Sequence, residues 1–180
     1  MSISNNKIRK KTGFTLIELL VVVLLIGILS GVILSVVNVS GIRAKARDNN
    51  RKSDLKKVQT ALELYFLDNR KYPTTGNTSF IKTSALNSYG LTTNYLSPIP
   101  SDPTYSGLTA YGGTTCSGVT FDYSYMSDGT TGSFYLIFAK MEVATSANDS
   151  PCNLLPKAGA IPGIATCTKE NMCYGVQNPF

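Results

Sequence analysis

The chain contains no histidine and no tryptophan, and only 16% of its 180 residues are charged. Without histidine, the usual base of a triad-type hydrolase at neutral pH is missing, as is the nitrogen ligand of a mixed zinc site. Cysteine is absent from the first 115 residues. Its four copies, Cys116, Cys152, Cys167 and Cys173, all lie in the last third and form no C-x-x-C pair, which argues against a four-thiolate zinc site. An even count in a loop-rich region points instead to two disulfides formed outside a reducing cytosol, with three pairings open. No proline precedes Pro73, so nothing of that kind interrupts a helix before it. Hydrophobic residues make up 43% of the chain, which excludes general disorder, and the length suits one small domain plus one long element rather than two full domains.

The formal charge of +6 invites a nucleic-acid reading until its distribution is examined. Of the 17 Lys plus Arg, four (Lys7, Arg9, Lys10 and Lys11) lie before residue 13, and the other 13 face 11 Asp plus Glu. A second basic group, Arg43, Lys45, Arg47, Arg51, Lys52, Lys56 and Lys57, is partly offset by Asp48 and Asp54 and reads as a solvated helix face. Between the two groups lies an apolar run. From Leu19 to Val37 only Gly27, Ser30, Gly31 and Ser35 interrupt it, a length that predicts a membrane-spanning helix. A secretory signal peptide is the alternative, and Ala44-Lys45-Ala46 resembles its cleavage site. Two features oppose that reading: the run exceeds the roughly 7 to 15 residues of a signal core, and the carboxylate Glu18 sits at its head.

The segment Lys10-Lys11-Thr12-Gly13-Phe14-Thr15-Leu16-Ile17-Glu18-Leu19-Leu20-Val21 resembles the cleavage and methylation signal of type IV prepilins and type II secretion pseudopilins. The resemblance is strong over residues 7 to 40 and architectural beyond them. It implies that a membrane aspartyl peptidase cuts between Gly13 and Phe14 and methylates the new amine of Phe14. It also implies that Glu18, four residues on and on the same helical face, pairs with the amine of a neighbouring subunit and sets register during assembly. A headgroup-seeking, idle Glu18 is the bland alternative. Basic residues flank the apolar run on both sides, so charge alone leaves orientation open. The cysteines break the tie by placing the C-terminal domain outside, which gives a single-pass protein of the bacterial cytoplasmic membrane that becomes a surface or periplasmic filament. Family members often carry a proline in the membrane-proximal helix; this chain has none there.

Past the apolar run, Ile42, Ala46, Leu55, Val58, Leu62, Tyr65 and Phe66 recur at spacings near three and four, predicting a helix that continues to about Asn69. A helix from Phe14 would then be on the order of 80 Å long. Such an element needs a membrane or copies of itself around its first half and a compact domain behind its second. Asn69 to Asn77 reads as turn chemistry, Tyr95 to Pro103 as a proline-punctuated connector, and 121–126 and 133–142 as a hairpin about a turn at 127–132. The expected fold is α+β: a long helix, membrane-spanning in its first half, packed by its second half on a small antiparallel sheet, with a loop-rich, disulfide-bonded C-terminal region. The expected divisions are a leader over 1–13, an assembly helix over 14–39 and a globular domain over 40–180.

No cofactor is expected. Asp102, Asp122, Asp128 and Asp149 could contribute to calcium binding, as in pseudopilins, but no EF-hand spacing is present and turn aspartates ordinarily cap. Asn77-Thr78-Ser79 and Asn148-Asp149-Ser150 match the short N-glycosylation acceptor pattern, which arises often by chance. The expected function is a non-enzymatic filament subunit of a type IV pilus or a type II secretion pseudopilus. Its partners would be copies of itself or other pilin-like subunits, the prepilin peptidase, an inner-membrane assembly platform and the bilayer. The alternatives are a DNA-binding competence pilin and an exported domain merely tethered by a helix.

Overall fold

The computed structural model describes residues 13–36, 39–75, 80–112, 119–150 and 172–179, with side chains of 32–36 left aside. The chain divides into two units, Met1–Val39 and Ser40–Phe180, and each is described by itself.

In the first unit, α1 spans Leu16–Val36. Leu, Val and Ile occupy every side of it, so it has no polar face, and from Leu16 to Leu29 each large side chain is 44 to 83% exposed. The expectation of a membrane-spanning helix requires correction: among the described residues no helix is long and apolar enough to cross a membrane. The Glu18 carboxylate lies in the first turn of this helix, where a charge placed in hydrocarbon is costly. The single-pass topology and its orientation fall with that correction. Continuity of one helix from Phe14 to Asn69 turns on residues 37 and 38, outside the described residues.

The second unit is built on α2, Val39–Asn69. Its buried positions are Asp48, Arg51, Leu55, Val58, Ala61 and Leu62, a spacing of three and four that keeps one stripe against the body. Asn69 ends the helix as expected. Arg70 then adopts φ 58, and its amide donates to the Phe66 carbonyl at 2.8 Å, a left-handed closure of the last turn.

Among the described residues four strands follow in the order β1-β2-β3-β4, all antiparallel: β1 Ile81–Lys82, β2 Ser124–Ser127, β3 Tyr135–Lys140 and β4 Cys173–Gln177. The predicted hairpin is β2–β3, with Tyr125 opposite Ile137. Between β1 and β2 lie a 3-10 helix, Thr83–Tyr89, a single helical turn, α3, Leu91–Asn94, and the proline connector. Strand β3 is buried along its whole length because both faces of the sheet are covered. Tyr135, Ile137 and Ala139 join Leu55, Val58 and Leu62 of α2 in one core, whereas Leu136 and Phe138 join Tyr111, Phe121, Met126 and Cys173 in another. The strand period of two explains that division. On the far side, Phe138 meets Phe80, Phe121 and Tyr111 edge-on at 4.9 to 5.5 Å between ring centroids.

Two further expectations change. Ile42 is 59% exposed and Ala46 is exposed too, because over the first turns of α2 the described body is met by Asp48 and Arg51 instead. The disulfide-bonded C-terminal region is also corrected. No disulfide closes between described residues, since Cys116, Cys152 and Cys167 fall outside them, while Cys173, fully buried on β4, is not a free thiol. What fixes the described C-terminal end is the sheet, through five residues of β4 paired along β3.

Candidate functional site

The N-terminal residues singled out from sequence sit at the start of α1. Gly13 and Phe14 precede the helix; Phe14 is 81% exposed, and a Cβ added to Gly13 would meet nothing within 4 Å. Nothing described in the chain itself therefore requires glycine there. Thr15 and Glu18 form a reciprocal cap. The Thr15 amide and hydroxyl donate to Glu18 Oε2 at 3.3 and 3.2 Å, the Glu18 amide donates to Thr15 Oγ1 at 3.4 Å, and the Leu19 amide donates to the Thr15 carbonyl at 3.3 Å. This is a capping box, and its T-x-x-E pattern is readable at positions 15 to 18. The carboxylate also complements the positive end of the helix dipole. In this state Glu18 serves its own helix, a role distinct from both the pairing and the headgroup readings.

The second constellation departs from the expectation that the basic group after α1 is a solvated face. Arg51 is fully buried among three carboxylates. Its Nε and Nη2 donate to the two oxygens of Asp102 at 2.7 and 2.9 Å, and its Nη1 donates to Asp48 at 2.7 Å and Glu142 at 2.8 Å. The carboxylates are themselves satisfied. Asp48 accepts the amides of Glu142 and Val143 at 2.9 Å each, and Asp102 accepts those of Thr104 and Tyr105 at 2.8 Å each. Arg47 closes the rim on Glu142, and the Tyr105 ring lies 5.1 Å from the Arg51 guanidinium carbon. Burial by itself would lower the Arg51 pKa, but hydrogen bonding to Asp102 and Glu142 outweighs it and keeps the guanidinium charged. The Glu142 carboxyl is held down at about 2, first by the Arg47 hydrogen bond, against the opposing effect of burial, and then by Arg51.

This cluster ties α2 to the end of the proline connector and to the residues just after β3. The basic group from Arg43 to Lys57 is thus not wholly a solvated face. The missed signal was positional: Asp48 and Arg51 fall on the same three-four spacing as Leu55, Val58 and Leu62.

The four aspartates considered for calcium are dispersed into structural roles. Asp102 belongs to the Arg51 cluster, and Asp122 accepts the Asp102 amide at 3.1 Å. Asp128 closes the β2–β3 turn by accepting from Ser133 and from the Gly132 amide, and Asp149 pairs with Lys52 at 2.7 Å. Among the described residues no group of three or more carboxylates, cysteines or histidines could hold a metal ion. Asn77 to Ser79 lie outside the described residues, and Asn148 is an exposed residue after the short 3-10 helix at Ala144–Ala147.

Comparison with known proteins follows the same division of the chain. Residues 8–34 match the prokaryotic N-terminal methylation motif, and residues 38–140 match the family described as type II secretion system (T2SS), protein G. The type II secretion system core protein G of Vibrio cholerae is 45% identical over 69 residues, 38% of this chain and 46% of that protein. The protein of the same name from Escherichia coli K12 is 36% identical over 99 residues, 52% of this chain and 67% of that one. The one from Pseudomonas aeruginosa is 33% identical over 149 residues, 79% and 93% respectively. Against the Vibrio cholerae protein, then, the chain spans about half of the relative's length. No solved structure matches.

Proposed function

The chain belongs to the family of the type II secretion system protein G, and from that premise we propose that it is a non-enzymatic pseudopilin, trimmed by a prepilin peptidase and polymerised into a secretion filament. The match over 38–140 favours the secretion pseudopilus over a type IV pilus. The observation that carries the reading is α1: a helix apolar on every side, with every large side chain from Leu16 to Leu29 exposed. Such a surface demands cover. In a filament the same helices of neighbouring copies supply it, and Gly27 and Gly31, where added Cβ atoms would meet nothing, leave room for close approach.

Processing acts on Gly13 and Phe14. Hydrolysis of the amide between them frees the Phe14 amine, which is then methylated. Gly13 has no steric neighbour of its own, so the demand for glycine comes from the peptidase cleft, where a side chain would collide. The new amine carries a positive charge beside an apolar helix whose nearest carboxylate is Glu18. On assembly, Glu18 turns from capping Thr15 to the amine of an adjacent subunit, since a lone charge within packed apolar helices is strongly destabilising. The partners are other pilin-like subunits, the peptidase and the inner-membrane assembly platform.

Expression in a host with a complete type II secretion apparatus tests this reading. Filaments sheared from the cells should contain the chain beginning at Phe14, whereas Glu18→Leu should be cleaved yet absent from the sheared fraction. Glu18→Leu filaments at wild-type yield would overturn the assembly role.

A further inference from the structure

We infer that Met172 is a modification site: hydroperoxides oxidise its thioether to the sulfoxide, and the sulfoxide loosens the β3–β4 end of the sheet and, through Glu142, the Arg51 cluster. The four methionines of the chain are not equivalent. Met1 belongs to the expected leader, outside the described residues, and Met126 and Met141 are buried in the two cores. Met172 is partly exposed. It packs on the core shared by α2 and β3, and it also lines an open cavity of about 420 Å³ together with Tyr105, Lys140, Met141 and Glu142. A molecule the size of hydrogen peroxide therefore reaches this thioether, whereas Met141, which also borders the cavity, keeps only 1% of its surface exposed. Cys173, the next residue, is not a free thiol and does not intercept the oxidant.

With hydrogen peroxide the step balances as a two-electron transfer. A sulfur lone pair attacks one peroxide oxygen, the O–O bond breaks, the sulfur is oxidised, and the departing oxygen leaves as water once it has taken up the proton. The consequence follows from where Met172 sits. Its backbone has φ 55, a region that L side chains other than Asn and Asp rarely enter. It is held there by β4 on its C-terminal side and by the Met141 amide, which donates to its carbonyl at 2.7 Å, one rung beyond the Lys140–Cys173 pair. Glu142, next to Met141 in the chain, donates its amide to Asp48 and accepts from Arg51. A sulfoxide oxygen left against the core is a buried acceptor, and one turned into the cavity draws the side chain off the core. Either position forfeits the apolar contact that offsets the backbone strain. The rung at Met141 then opens beside the residue that anchors Arg51.

Hydrogen peroxide added to the full chain in detergent micelles tests this. Peptide mass spectrometry should find Met172 oxidised about tenfold or more faster than Met126 and Met141, with the difference abolished in urea. At full Met172 oxidation the urea midpoint, read by tyrosine fluorescence, should drop by ~0.5 M or more. Met172→Leu keeps the apolar contact and should show no drop after the same treatment. In Glu142→Gln the drop should be at most about half that of the parent, because the cluster it acts through is already weakened. Oxidation of Met172 no faster than that of the buried methionines, an unchanged midpoint with Met172 oxidised, or an equal drop in Met172→Leu would each overturn the inference. An equal drop in Glu142→Gln would overturn the link to the Arg51 cluster.

Discussion

Replacing Arg51 with methionine should be among the most damaging single changes in the Ser40–Phe180 unit. The guanidinium is fully buried and bridges Asp48, Asp102 and Glu142, two of which are themselves 0 to 1% exposed. Methionine fills much of the volume, so the cost is electrostatic: two buried carboxylates lose their cation while keeping their backbone donors. Breaking a buried ion pair from one side typically costs about 3–5 kcal/mol, against a total stability on the order of 5–15 kcal/mol. With a urea m-value of about 1–3 kcal/mol/M, the midpoint should fall by ~2 M. All ten tyrosines lie beyond residue 64, so tyrosine fluorescence reports the Ser40–Phe180 unit without interference from α1. Arg51→Lys should fall between, since a lysine cannot span both oxygens of Asp102. Adding Asp102→Asn to Arg51→Met should recover part of the loss by removing a stranded charge. A midpoint shift for Arg51→Met under ~0.5 M would refute the argument.

Acid should weaken the same cluster from its rim. The Glu142 carboxyl drops from an ordinary 4.5 to about 2 in the folded state. Its contribution is therefore complete above the unfolded value and lost as pH falls from about 4.5 towards 2. Taken in full the shift is ~3 kcal/mol, and screening at the open rim reduces it to ~1–2 kcal/mol. Urea midpoints at pH 6 and pH 3 should differ less in Glu142→Gln than in the parent; equal slopes would contradict the assignment. Gly132→Ala should cost ~2–3 kcal/mol, because φ is +63 and the new Cβ would sit 2.5 Å from the Tyr72 carbonyl oxygen. At Gly90, also at positive φ but with open space around it, alanine should cost only ~1 kcal/mol, and thermal melts distinguish the two. Glu63→Ala strands the Tyr135 hydroxyl, which donates at 2.7 Å from a fully buried ring, and should cost ~1–3 kcal/mol in a chemical melt; a neutral result would mean that solvent reaches that hydroxyl.

How legible the fold was depended on whether physics wrote a periodic signal. The Leu55-Val58-Leu62 stripe and the end of α2 at Asn69 follow from spacing and turn chemistry, and the β2–β3 hairpin follows from alternation around a glycine-containing turn. Strand β4 lies within the region expected to be loop-rich and is not legible locally, because Cys173-Tyr174-Gly175-Val176-Gln177 is short, contains glycine, and gains its strand character by pairing with β3. The Arg51 cluster was hidden by the rule that charge means surface. Its partners, Asp102 and Glu142, lie 51 and 91 residues away, and no local pattern announces such a pairing. At the N-terminus, the basic leader, glycine, phenylalanine and glutamate were readable as a processing signal because another protein must read them in linear order. The capping box lies in the same residues, and its T-x-x-E pattern at 15 to 18 is local enough to be legible as well.

The most direct test of the central claim is the intact mass and N-terminal peptide of the chain co-expressed with a prepilin peptidase, compared with Gly13→Leu. The account predicts a product that begins at N-methylated Phe14 and disappears in the variant. Cleavage near Ala46, or an uncut chain in the presence of active peptidase, would contradict it.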